Sequence, residues 1–176
     1  MKNMKIIKGA FLSLGLMLVS ILSWSQPPSP AATATGTVGG ANITIKYSSP
    51  AVKGRKVYGS DLVPYGGKVW RAGANSATIF ETDKDITVEG KSLPAGKYSI
   101  YAIANEGEWV IIFNSKTGQW GINRDGTTTE DPALDVIRVT VKPRASATMN
   151  ERLVYTINDK GFVLSWENID VPVSIK

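Results

Sequence analysis

Short segments in which apolar and polar residues alternate are the feature that most restricts how this chain can fold. Ile43, Ile45 and Tyr47 are separated by polar side chains, and the same two-residue period returns in later segments of the sequence. These segments are 136–141, 153–157, 162–166 and 171–175. Such alternation is typical of strands with one buried face and one wet face. Because no window after residue 25 keeps a helical period over three turns, the pattern predicts an all-β protein.

Further short apolar segments complete the predicted set of strands. Residues 78–82, 86–88 and 99–104 are candidates, and residues 109–113 are apolar on both faces, which indicates a central strand. About eight or nine short strands separated by turn residues predict an antiparallel β-sandwich, immunoglobulin-like or jelly-roll-like, with Greek-key connections. A β-barrel is the alternative. The one helical feature that we expect is a short turn around residues 132–135.

A local pattern supports the sandwich. Leu93 is followed by a proline and glycine turn and then by Tyr98, which enters a strand. This order is similar to the tyrosine corner of immunoglobulin-like sandwiches, in which the phenol bonds back to nearby backbone. An ordinary loop with a core tyrosine is the other interpretation.

The N-terminus has the pattern of a secretory signal peptide. Three lysines and no acid precede an apolar run over residues 9–22, which is shorter than the about 20 residues that a membrane helix needs. Small residues at Ser23 and Ser25 predict cleavage before Gln26. An uncleaved anchor is the alternative, and the lack of cysteine excludes a lipoprotein. The protein is therefore predicted to be periplasmic or secreted, with no transmembrane segment after cleavage.

The remaining sequence predicts one domain. Residues 26–36 are rich in proline, alanine and threonine and are expected to be a flexible lead-in, whereas residues 37–176 are expected to form the sandwich. The chain carries a net charge of +5, but the leader supplies three of these charges. A nearly neutral domain gives no reason to expect nucleic acid as a partner.

The composition excludes several kinds of chemistry. The chain contains no histidine and no cysteine, so it cannot assemble a Ser-His-Asp or Cys-His triad or an ordinary zinc site. The tripeptide 90–92 ends like a phosphate-binding loop but lacks the earlier glycine, and is better explained as a hairpin turn. We therefore predict no catalytic residue, no metal site and no cofactor.

Two groups of carboxylates leave a hydrolase as an alternative. One group falls at alternate positions and would share a face of an extended strand; the other lies further along the chain. The first contains Glu81, Asp83 and Asp85, and the second contains Glu130, Asp131 and Asp135. Since carboxylates on exposed strand ends are common, we interpret both groups as solvated surface.

The best candidate site lies in residues 53–77, which we call the organising loop. This segment combines glycines, cationic side chains and aromatic rings without any regular period, and long shaped loops on a β scaffold often carry binding groups. Arginine pairs with anions, and tyrosine and tryptophan stack on sugars or cations. Residues 114–135, the second irregular region, could reach the same end of the sandwich. The candidate ligand-binding residues are Arg55, Tyr65, Trp70, Arg71, Asn75 and Trp120.

The organising loop also has a purely structural interpretation. Tyr65 and Trp70 could be core residues beneath the loop, with Arg71 stacked on one of them or bonded to loop carbonyls. Trp120 could be a surface anchor. In that case the protein would be a structural or assembly module.

Several motifs, taken in order, resemble an exported bacterial family known as domain of unknown function 2911. They are ITIKYS at 43–48, LVPYG at 62–66, VWR at 69–71, GAN at 73–75, VEGKSLPAGKYSIYAI at 88–103, EWVIIFN at 108–114 and RVTVKP at 138–143. The resemblance implies a secreted or periplasmic β-rich domain whose family has no agreed activity or cofactor. From the residues themselves we predict a non-catalytic protein that binds a small anionic or carbohydrate-like ligand, or a cell-envelope partner, through the organising loop.

Overall fold

Strands account for most of the described part of the chain in the computed structural model, which describes residues 29–176. The strands are β1 (Ala31–Val38), β2 (Ala41–Ser48), β3 (Thr78–Thr82), β4 (Ile86–Val88), β5 (Lys91–Leu93), β6 (Gly96–Ile103), β7 (Trp109–Asn114), β8 (Asp135–Val141), β9 (Arg144–Asn158) and β10 (Gly161–Ser174). A 3-10 turn at Pro132–Leu134 matches the short helical turn predicted there. Within this part of the chain, no helix is long and apolar enough to span a bilayer.

The strands form two layers around one core. Six strands make an antiparallel sheet in the order β1-β2-β3-β6-β7-β8. The β9–β10 ribbon packs on it, as Phe162 of β10 lies 6.0 Å, between ring centroids, from Phe80 of β3. A bridge between Val88 and Ile175 joins the β4–β5 hairpin to the end of the ribbon. The sheets do not close into a barrel, and the predicted antiparallel β-sandwich is confirmed.

The tyrosine corner is also present. The Tyr98 hydroxyl donates a hydrogen bond to the carbonyl of Pro94 at 2.8 Å, and the Tyr98 ring lies edge-on to Phe113 in the core. One side chain thus ties the turn before β6 to the packed interior, as the sequence pattern predicts.

The structure corrects the start of the domain. Residues 31–36, expected to belong to a flexible lead-in, pair with β2 along their whole length. Their side chains are too small to show an apolar pattern, and the strand is defined instead by its backbone pairing. Gly36 contributes because a Cβ there would lie only 2.6 Å from Ile157 Cγ2, so the missing side chain lets β9 pack closely. The predicted signal peptide and residues 26–28 lie outside the described residues.

The end of the chain differs as well. The segments 162–166 and 171–175 were predicted as separate strands, but β10 runs continuously from Gly161 to Ser174. Two register shifts interrupt its pairing with β9 on either side of Glu167. The extra residues of this β-bulge lie in β9, where residues 150–154 face 165–167 and residues 145–150 face 167–169. Such an irregularity bends a strand without ending it. The apolar pattern breaks at the bulge, which explains why one strand looked like two.

Candidate functional site

The organising loop and the second irregular region face each other across a cleft of about 870 Å³. The organising loop supplies one wall and much of the floor, and residues 122–128 supply the opposite wall. The lining residues are Ser29, Pro50, Lys53, Arg55, Asp61, Leu62, Pro64, Lys68, Val69, Trp70, Arg71, Gly73, Ala74, Ile122, Asp125, Gly126, Thr127, Thr128 and Trp166. A volume of this size suits a small organic molecule, since such sites measure roughly 300–1,000 Å³.

Two tryptophans form the floor of the cleft. Trp70 is 5% exposed and Trp166 is 1% exposed, and their rings stack with centroids 6.2 Å apart. The backbone of Trp70 pairs in both directions with Ala102 of β6, at 2.7 and 2.8 Å. Trp70 therefore lines the cleft as part of the core, which fits the structural interpretation of this side chain better than that of an exposed stacking platform.

Arg71 is the partly buried cationic side chain of the cleft, whereas Lys53, Arg55 and Lys68 are exposed. Its stem lies against Gly121, where a Cβ would come within 2.3 Å of Arg71 Cδ. Its Nε is buried without a hydrogen-bond partner, and the ion pairs found in residues 29–176 do not involve it. Burial lowers the pKa of the guanidinium, but arginine remains charged at neutral pH. The structure thus presents an unpaired positive charge to the cleft.

The backbone on the C-terminal side of Arg71 is fixed by buried hydrogen bonds. The carbonyl of Ala72 accepts from the Thr78 hydroxyl at 3.0 Å and from the Tyr155 hydroxyl at 2.8 Å. Ala72 and Asn75 both have positive φ, 51° and 58°, a conformation that costs non-glycine residues on the order of 1–3 kcal/mol. The buried bonds hold this strained turn in place, so Arg71 is positioned before any ligand arrives.

Asn75 and Arg55 serve the loop itself. The Asn75 side-chain amide donates to the carbonyl of Ser29 and to the hydroxyl of Ser48, at 3.1 and 3.2 Å, and Asn75 does not line the cleft. Arg55 lines it, but its guanidinium donates to the carbonyls of Val52 and Ala51 at 3.0 and 2.6 Å. Bonding to loop carbonyls, which the structural interpretation expects of Arg71, is made by Arg55 instead.

Tyr65 and Trp120 lie outside the cleft lining. Tyr65 packs against the core beside Gly59, where a Cβ would lie 3.3 Å from its ring. Trp120 is 56% exposed, and its backbone is held by a bridge to Ser76 and by the Thr129 hydroxyl. The second irregular region reaches the cleft as predicted, but it does so through residues 122–128.

Several cleft residues were not among the predicted ligand-binding set. Lys53, Asp61 and Lys68 are exposed side chains of the organising loop, and nothing in a single sequence separates them from other loop charges. Asp125-Gly126 is a dipeptide typical of hairpin tips, and it could have marked the opposite wall. Trp166 carried no such signal, because it was indistinguishable from any other inward residue of β10.

Charge in the cleft is predominantly positive. Four cationic side chains and two carboxylates line it, and none of the six belongs to an ion pair within residues 29–176. One Asp125 oxygen accepts from the hydroxyl and the backbone N–H of Thr127, at 2.6 and 3.0 Å. These two bonds lower the pKa of Asp125, so it is ionised at neutral pH.

The carboxylates considered for a hydrolase are dispersed among structural roles. Glu81 lies 3.4 Å from Lys97, Asp83 accepts from the backbone and side chain of Asn42, and Asp85 accepts from the backbone of Ala95. None of the three lines the cleft. Within the described residues, no cluster of three acidic side chains is arranged to hold a metal ion.

The second acidic group anchors the second irregular region. Arg138 of β8 donates to Glu130 at 2.8 Å and to Asp135 at 2.6 Å. Asn114 also donates to Asp135, at 2.7 Å. Burial, and then the nearby charge of Asp135, raise the pKa of Glu130. Glu130, Asp135 and Arg138 thus form a clamp beside the cleft wall, in which the two carboxylates are 5% and 8% exposed and the arginine is 40% exposed. Asp131 is exposed and is not part of it.

Comparison with protein families gives a match over nearly all of the described residues. A family model described as "Protein of unknown function (DUF2911)" matches residues 29–175. The matched range contains all ten strands and both walls of the cleft. A search of curated proteins and a search of solved structures returned no match.

Proposed function

The chain belongs to the DUF2911 family, whose description names no activity, and from that premise we propose that it is a non-catalytic protein that binds a small anionic ligand in the cleft. The observation that carries the proposal is Arg71, an unpaired guanidinium fixed at the cleft by its own backbone and by Gly121. No water-sized group reaches the buried Nε, so a ligand carboxylate or phosphate would pair with the terminal nitrogens of the same guanidinium. Those nitrogens form no hydrogen bond within residues 29–176, and a charge-assisted bidentate pair with an anion is favourable.

The rest of the cleft supports a small anion over the other candidates. Trp70 and Trp166 are only 5% and 1% exposed, so their flat faces are not open to a neutral sugar ring. A cleft between two loops suits a small molecule better than a protein partner, which normally needs a wider surface. Lys53 and Lys68 add positive charge at the rim, where they would attract anions and give a salt-dependent association.

A titration with simple anions tests the proposal. Lactate, gluconate and cyclohexanecarboxylate, which each carry one negative charge, are titrated into the wild type, Arg71→Gln and Arg144→Gln by calorimetry at low ionic strength. Arg144 is an exposed arginine on β9 outside the cleft, so its variant loses the same charge. We expect at least one anion to bind the wild type and Arg144→Gln equally, and to bind Arg71→Gln at least about tenfold more weakly. Equal binding to both variants, or no binding by the wild type, would contradict the proposal.

We also propose that the protein is exported. This rests on the basic and then apolar N-terminal segment with small residues at positions 23 and 25. Mass spectrometry of the chain recovered from the periplasm or culture medium should find an N-terminus at Gln26. Recovery of the uncut chain in the membrane fraction would favour an anchor instead.

A further inference from the structure

The cleft contains hydrogen-bond acceptors as well as cationic groups, and these acceptors restrict which anions can bind there. Asp61 and Asp125 both line it. Asp125 uses one oxygen for its bonds to Thr127, and no hydrogen bond found in residues 29–176 uses the other. Asp61 is exposed and forms no ion pair there. Ionised carboxylates accept hydrogen bonds but cannot donate them, so a fitting ligand must bring donors of its own.

The same carboxylates disfavour ligands with several negative charges. A polyphosphate or a polycarboxylate that fills the cleft would bring charge close to Asp61 or Asp125, and like charges at short range repel. A ligand with one negative group and several hydroxyls avoids this conflict. Its anionic group meets Arg71, and its hydroxyls donate to the two aspartates.

The apolar part of the lining fits the remaining surface of such a ligand. Leu62, Val69 and Ile122 are partly exposed around the tryptophan floor. The C–H face of a saturated ring can pack on these side chains, because sites for small molecules combine apolar walls with a few placed polar groups. The hydroxyl of Thr128 lies on the same wall and can both donate and accept. The Thr127 hydroxyl already donates to Asp125.

We propose that the ligand is a sugar acid, a hydroxylated ring that carries one carboxylate, either free or at the end of a short oligosaccharide. This inference rests on the proposed anion binding and goes further, because it assigns the two aspartates to the ligand hydroxyls. Asp61 becomes a specificity residue. The Asp61 carboxylate favours acids that carry hydroxyls over acids that lack them. Arg71 is required for the binding of both kinds of acid.

Four matched probes separate the two parts of this recognition. D-glucuronate and a glucuronate–xylose disaccharide carry both features, glucose lacks the carboxylate, and cyclohexanecarboxylate lacks the hydroxyls. Calorimetry with the wild type should give glucuronate or the disaccharide at least about tenfold tighter binding than both controls. The disaccharide binds more tightly than glucuronate if the natural ligand is an oligosaccharide end.

Variants then assign each feature to a residue. Asp61→Ala should weaken glucuronate about tenfold and leave cyclohexanecarboxylate unchanged or tighter, because the variant loses an acceptor and a repelling charge. Asp159→Ala, at an exposed turn outside the cleft, is the control. It should not change the affinity for glucuronate or for cyclohexanecarboxylate. Arg71→Gln should weaken both acids.

The possible failures are distinguishable. If cyclohexanecarboxylate binds as tightly as both sugar acids, or if Asp61→Ala weakens the two acids equally, the sugar-acid inference is wrong and the anion-binding proposal stands. If glucose binds as tightly as glucuronate, or if Arg71→Gln has no effect on either acid, both proposals are wrong.

Discussion

The two loop regions that meet at the cleft are held to the sandwich in different ways. The organising loop is fixed from within, through the pairing of Trp70 with Ala102 and the bonds of Thr78 and Tyr155 to the Ala72 carbonyl. The second irregular region is fixed on the outer face of the large sheet by polar side chains. Gln119 donates to the hydroxyls of Ser99 and Tyr101, and Arg138 holds Glu130 and Asp135.

Because of this difference, we expect substitutions in the organising loop to change mainly stability, and substitutions in the second irregular region to change mainly ligand binding. Changes in the first region disturb the main core, because its anchors pack there. Changes in the second region act on the cleft wall, because its anchors lie on the outer face of the large sheet, away from the main core. Four substitutions test this contrast, from the largest expected effect to the smallest.

Trp70→Ala should have the largest effect. Removing a 5% exposed indole that stacks on Trp166 is expected to lower the free energy of unfolding by about 3–5 kcal/mol, the range for aromatic residues in cores. Urea denaturation measures it. Trp120→Ala, which removes a 56% exposed indole, should cost at most about 0.5 kcal/mol. If the two variants lost similar amounts of unfolding free energy, the proposed difference between the two loop regions would be wrong.

Tyr155→Phe should come next. The phenol is buried, and its loss leaves the Ala72 carbonyl with one donor fewer, at a cost of about 1–2 kcal/mol. Anion binding should also weaken, because this bond fixes the turn after Arg71. Tyr98→Phe is the control, since it removes an equivalent bond to Pro94 on a different turn. It should lower stability in urea without changing anion binding, and equal loss of binding in both variants would show that the turn does not position Arg71.

Gly121→Ala should affect binding more than stability. The added Cβ would lie 2.3 Å from Arg71 Cδ and 3.0 Å from the Asn75 carbonyl, so the arginine stem must move. We expect anion affinity to fall about tenfold and the free energy of unfolding to fall by about 1 kcal/mol, the low end for overpacking. Gly107→Ala, where no atom lies within 4 Å of the added Cβ, should change neither quantity. Unchanged affinity in Gly121→Ala would mean that Arg71 is not held by this contact.

The smallest effect concerns the clamp at Glu130. Its pKa is raised in the folded state by burial and by Asp135, so ionisation of Glu130 opposes folding. The wild type should therefore lose stability relative to Glu130→Gln as the pH rises from below the ordinary value of 4.5 through the raised folded pKa. Thermal unfolding from pH 3.5 to 7 measures the difference. Parallel curves for the two proteins would show that Glu130 is not part of a strained clamp.

The fold was largely predictable because strand patterns are local. Alternation at Ile43 and Ile45, and the turn before Tyr98, depend on neighbours in sequence, and the sandwich and the corner follow from them. The exception is residues 31–36, where small side chains conceal a strand defined by backbone pairing. Local pattern contains no information about which partner such a segment will find.

The cleft was less predictable because it is assembled from distant segments. The sequence singled out Arg71 by residue type and neighbours, but what makes it distinctive is the contact with Gly121, 50 residues away, and the lack of an acidic partner. Trp70 was equally conspicuous, yet its stacking on Trp166 makes it part of the core. Adjacent residues thus have opposite surroundings, and only the three-dimensional packing separates them.

The most direct test of the account is the NMR signal of the Arg71 Nε–H group, assigned by its absence in Arg71→Gln and followed while gluconate or glucuronate is added. If Arg71 is a positioned anion-binding group, its signal should shift progressively and saturate with the calorimetric binding curve, while the signal of Arg144 stays in place. Saturation of the binding curve with the Arg71 signal unmoved would contradict the claim that this guanidinium holds the ligand.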